Sequence, residues 1–135
     1  MAYFHLKQST RHLTSTAGLM LLGQCFLVAE LDRLDARLPK RGKIRWSDLV
    51  KCYLGLLALG KSDFEALEGF RGDRFFQEAL GLGQMPGSVW LRQSLEANAA
   101  VLRDHTDAWS VRLIRAVAPR SRPMTATPAW ISIPS

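Results

Sequence analysis

The chain has 135 residues, 47% hydrophobic and 22% charged. That balance fits one small globular domain and excludes a collagen-like or wholly disordered polypeptide. Eighteen Lys and Arg against twelve Asp and Glu give a net charge of +6, and thirteen of those cations are Arg. Arginine grips phosphate bidentately, so a polyanion is the partner class this charge points to.

Residues 17–29 are apolar apart from Gln24 and follow Lys7 and Arg11. The run falls short of the ~18 residues that span a bilayer. It also lacks a signal-peptide cleavage site, because Leu27 stands where a small residue would be needed. A buried helix in a cytoplasmic protein with no membrane partner is the expectation. Cys25 and Cys52 lie apart in apolar stretches, which argues against a disulfide framework or zinc site and for reduced, buried thiols.

In chain order, Thr14 and Thr16 offer capping hydroxyls, and Leu27, Leu31, Leu34 and Leu38 recur at helical spacing. A long first helix over 16–37 is expected, ended by Pro39 and Gly42. Arg37, Lys40, Arg41, Lys43 and Arg45 then form a connector with five cations and no acid. Ser47 and Asp48 open a second helix with Leu49, Tyr53, Leu56 and Leu57 facing inward, closed by Gly60.

Ser62 and Glu65 have capping-box spacing and start a short helix with Phe64, Leu67 and Phe70. Asp73 caps another, holding Phe75, Phe76 and Leu80 and stopped by Gly81. A loop over 81–87 contains three glycines and Pro86. Ser88 caps a last helix in which Leu91, Leu95, Ala99, Leu102, Trp109 and Leu113 keep a 3.6-residue period. No segment alternates as a strand does. The expected fold is all-α with about five helices over 16–118, an N-terminal extension over 1–15 and an unstructured Pro-rich tail over 119–135.

Asp63, Glu65, Glu68 and Asp73 cluster in sequence, yet helix-start positions account for Asp63, Glu65 and Asp73 without catalysis. His5, His12 and His105 lack metal-ligand spacing. Neither a phosphate loop nor a nucleophile elbow occurs. The short helix from Asp73, the glycine-containing turn and the Ser-capped helix make a helix-turn-helix-like pair over 73–98. Its second helix presents Arg92 and Gln93, the side chains suited to guanine and adenine edges, and Ser88, suited to a phosphate or a cap. Arg37, Lys40, Arg41, Lys43 and Arg45 are the candidate clamps on a nucleic-acid backbone.

The wording of the chain adds to this. Ser62-Asp-Phe-Glu-Ala-Leu-Glu-Gly-Phe-Arg-Gly-Asp-Arg-Phe-Phe76, then Ala79-Leu-Gly-Leu82, Pro86 and Leu91-Arg-Gln-Ser-Leu95, resembles bacterial insertion-sequence transposases of the DDE type, group one. Ala17-Gly-Leu-Met-Leu-Leu22 and Asp48-Leu-Val-Lys-Cys-Tyr-Leu-Gly-Leu-Leu57 resemble that family's opening helices. The likeness spans roughly residues 15–117. It departs from the family's usual wording at Gly87, where the family has Ser, and at Trp90 before Leu91.

The resemblance implies the amino-terminal part of an enzyme that binds the inverted repeats of a mobile element in double-stranded DNA. The family's chemistry uses three carboxylates and two Mg²⁺ ions about 3.5–4 Å apart. Those carboxylates sit on a ribonuclease-H-like sheet downstream of the matched part, so this chain is expected to hold no catalytic triad and no cofactor. Read out of frame, the codons of residues 129–134 allow a hydrophobic-Asp-Ile-Asp-Thr string like the family's first catalytic strand, so a frameshift somewhere between about Ala116 and Thr125 is expected. Two alternatives stand beside this reading. One is a free-standing helix-turn-helix regulator; the other is a helical module for protein partners or self-association.

Overall fold

The computed structural model describes residues 16–40 and 42–118. Their regular elements are all helical, with no strand among them. The elements are α1 (Gly18–Val28), a 3₁₀ turn (Leu31–Arg33), α2 (Leu34–Arg37), α3 (Trp46–Ala58), a 3₁₀ segment (Phe64–Phe70), α4 (Arg74–Leu80), α5 (Ser88–Ala97) and α6 (Ala99–Val117). The extension over 1–15, Arg41 and the tail over 119–135 lie outside the described residues.

The expected long first helix is interrupted. α1 stops at Val28, and Glu30 adopts a left-handed φ of 54°, rare for a residue with a Cβ. The break turns the chain so that Leu31, Leu34 and Leu38 all enter the core, with exposures of 2%, 1% and 7%. Leu27, expected to share that face, is left exposed by the same turn. Glu30 is held in place through its carboxylate, which meets Arg33 at 3.0 Å and Arg112 of α6 at 3.4 Å.

α3 is the central helix. It buries Leu49, Val50, Cys52 and Leu56 against α1, α2, α4, α5 and the 3₁₀ segment, while Leu57 turns outward. Gly60 ends this stretch with a φ of 72°, as its position suggested. α1 and α4 cross at Gly23, where a side-chain carbon would be driven into the Ala79 carbonyl. Phe70 stacks on Phe76 with ring centroids 4.7 Å apart, and Tyr53 on Phe64 at 5.3 Å, so the aromatic positions tie the 3₁₀ segment to α3 and α4.

The capping device at 62–65 differs from expectation by one residue. Asp63, not Ser62, accepts the Ala66 amide at 2.7 Å, because a carboxylate is the stronger acceptor at the positive end of a helical turn. Asp73 caps α4 through Phe76 N–H, as expected, and Gly81 closes it with a φ of 63°. The last helix is two helices. Asn98 (φ −123°) breaks it, and its side-chain amide donates to the Ser94 carbonyl in competition with the backbone ladder. α6 ends before Pro119, with Ala118 already extended (φ −54°, ψ 124°), the conformation that proline imposes on its predecessor.

Candidate nucleic-acid interface

The connector between α2 and α3 is anchored at both ends. Leu38 and Trp46 are buried, and the Trp46 indole donates to the Pro39 carbonyl at 2.9 Å, closing the loop at its base. The apolar anchors point in and leave the cations out. Arg37, Lys40, Lys43 and Arg45 are exposed. Among the described residues, Arg37, Lys40 and Lys43 form no ion pair. Lys40, Lys43 and Arg45 share a hollow of about 300 Å³ with Asp35, Gly42, Ile44 and Trp46. Arg37 ends α2, beside this hollow in sequence but not among its lining.

Behind the connector lies a belt of acids that composition alone did not single out. Asp35 caps α3 from outside it, accepting Ser47 N–H at 2.9 Å and Ser47 Oγ–H at 2.6 Å. Asp48 is wholly buried and accepts Arg45 Nη2 at 2.9 Å and Arg45 Nε at 3.2 Å. Its hydrogen bond, with the charges of Asp48, Asp32 and Asp35, raises the already high pKa of Arg45. Asp48 also accepts the amides of Gly83 and Gln84, at 3.0 and 3.2 Å. Lys51, 4% exposed, reaches Asp32 at 2.7 Å and the Gly81 carbonyl at 3.4 Å. Connector, α3 and the 81–87 loop are thus fastened together by buried charge.

The residues on α5 separate into two groups. Ser88 is not a free phosphate ligand: it is 7% exposed, and its amide donates to Glu68 Oε1 at 2.9 Å. A carboxylate therefore already occupies the positive end of α5. Hydrogen bonds from the Ser88 amide and then its hydroxyl, followed by the charge of Arg71, hold Glu68 below its ordinary value of 4.5. Glu68 is the one clustered acid that helix-start positions did not explain, and its partner lies 20 residues away. Arg92 and Gln93 are exposed on α5, with Arg92 Nη1 3.4 Å from Glu65.

α4 and α5 are not packed chiefly on each other. α4 lies on α1, and α5 lies on the 3₁₀ segment and α3. Within the string over 62–76, Asp63 and Asp73 cap their own elements, and Glu68 caps α5. Among the described residues no group of three His, Cys, Asp or Glu side chains is placed to hold a metal ion. No described helix is long and apolar enough to cross a membrane. Comparison of the chain with protein-family models, curated proteins and solved structures gives no match.

Proposed function

We propose that this chain is the DNA-gripping, amino-terminal part of an insertion-sequence transposase of the DDE type, without catalysis of its own. The observation that carries the reading is the connector: three exposed cations without ion pairs among the described residues, with Arg45 beside them on a loop pinned by Leu38 and Trp46. Cations held in this way meet a phosphate backbone without first breaking protein ion pairs. The string over 62–76 and Leu91-Arg-Gln-Ser-Leu95 supply the resemblance to the family. In this reading the connector grips the backbone of the inverted repeats, and Arg92 and Gln93 on the helix-turn-helix-like stretch over 73–98 contact base edges.

The two roles have different signatures. Replacing Lys40 and Lys43 by Ala weakens binding to every duplex alike and lowers the salt slope by about one per cation removed. Replacing Arg92 by Ala costs about 1–3 kcal/mol on the element's own repeat and relaxes the preference at one base pair. Equal loss on all sequences for both sets would remove α5 from the reading. The nucleotide sequence after the reading frame tests the family assignment separately. An acidic nuclease core encoded there in any frame supports it, and its absence overturns it.

A second reading, a module that binds another copy of itself, is favoured by one feature. α1, α3 and α6 leave between them an apolar cleft of about 550 Å³, lined by Leu22, Phe26, Val50, Leu95, Leu102 and Trp109 among others. Light-scattering mass at several concentrations tests it: a dimer that Trp109→Ala splits favours this reading, and a monomer throughout discards it.

A further inference from the structure

The connector hollow and the 81–87 loop meet at a single side chain. Asp48 is 0% exposed, yet its two oxygens take four N–H groups, two from Arg45 and one each from Gly83 and Gln84. The bidentate grip uses the Nε and Nη2 side of the guanidinium. The other three of its five N–H bonds have no partner among the described residues, and 46% of the side chain faces solvent. Gly83 completes the seat. A side-chain carbon there would lie 2.7 Å from Arg45 Nη2, so the guanidinium rests on bare backbone. Asp35, the acid lining the same hollow, is already engaged by the amide and hydroxyl of Ser47.

We propose that Asp48 is a positioning residue for a phosphate seat formed by Arg45, Lys40 and Lys43, in which a phosphate of the DNA backbone is held. The inference rests on the DNA-gripping reading above. Asp48 does not touch the phosphate. It fixes the Arg45 rotamer before binding, so that little side-chain freedom is lost when the anion arrives. Through Gly83 and Gln84 it also holds the loop that forms the floor under the guanidinium.

The test measures affinity of the full chain for a short duplex of arbitrary sequence across a salt series. Four variants are compared with the wild type: Arg45→Met, Asp48→Asn, their combination, and Gly83→Ala. The last leaves Asp48 untouched and displaces only the flexible end of Arg45, so it keeps the inference testable if Asp48→Asn fails to fold. The expected result is that Arg45→Met lowers the salt slope by about 0.9. Gly83→Ala and Asp48→Asn lower it by the same amount, and the combination lowers it no further than Arg45→Met alone. A slope that falls for Arg45→Met but is unchanged in Gly83→Ala and Asp48→Asn overturns the positioning role while leaving the DNA reading intact. A slope unchanged by Arg45→Met overturns the seat itself. A wild-type chain that binds no duplex overturns the underlying functional reading and the seat with it.

Discussion

At the scale of single residues, the fold is held by carboxylates that act at a distance in sequence. Glu68 is the clearest case, since its pKa is lowered by the amide and hydroxyl of Ser88. A lowered folded-state pKa means the ionised form stabilises the native state above the ordinary value of 4.5, and that this contribution is lost as pH falls through the folded value. Glu68→Gln keeps an acceptor for the Ser88 amide and removes the charge. Thermal melts are expected to show wild type above the variant at neutral pH and the gap closing below pH 4.5. A gap that persists unchanged in acid contradicts the assignment.

The two cysteines give a second residue-scale prediction. Burial, aided by the charge of Asp48, pushes the Cys52 thiol up to about 12, whereas Cys25 is only half-buried, at the edge of the apolar cleft. A thiol-specific reagent at neutral pH should label Cys25 and spare Cys52 until the chain unfolds, because the thiolate is the reactive form. Labelling of Cys52 at native conditions, read by mass spectrometry, would show that its surroundings are open.

At the scale of elements, the hydrophobic period in the sequence located the helices well and their ends less well. Leu49, Leu56, Leu67, Phe76, Leu80 and Leu91 lie in the core as their spacing indicated. The breaks at Glu30 and Asn98 were not legible, because neither residue is a glycine or proline. The Glu30 turn has a partner elsewhere in the fold, Arg112, and the Asn98 break is made by its own amide on the Ser94 carbonyl. Ser88 begins α5 after the N-cap Gly87 and does not cap it with its own side chain, and its partner Glu68 comes from another element. The connector cations were legible as a charge run, whereas the belt of Asp32, Asp35, Asp48 and Lys51 behind them becomes visible only once α2 and α3 are side by side.

The tightest joint between elements is the crossing of α1 and α4. Gly23→Ala forces a carbon against the Ala79 carbonyl, which is backbone and cannot turn aside. Overpacking of this kind costs about 1–3 kcal/mol or more, equivalent to a fall in Tm of about 4–8 °C per kcal/mol in a domain of this size. Phe76→Ala, at the same end of the core, is expected to cost about 3–5 kcal/mol through the cavity it leaves. Denaturant melts of both variants check the pair. A Gly23→Ala variant as stable as wild type would mean that the two helices sit farther apart.

At the scale of the whole molecule, charge and apolar surface are laid out separately. The acids near the connector are turned to caps and ion pairs, which leaves Arg37, Lys40, Lys43 and Arg45 facing outward. The apolar cleft lies elsewhere, lined by α1, a further stretch of α3, the end of α5 and most of α6. In the proposed reading, such a surface grips a polyanion through many small, screened contacts and not through one deep site. The most direct measurement is the affinity of the full chain for duplex DNA as salt is raised from ~50 to ~200 mM. Four phosphate contacts predict a loss of about a hundredfold, linear in log–log form. Affinity that is indifferent to salt over that range, or no binding at its lower end, contradicts the account.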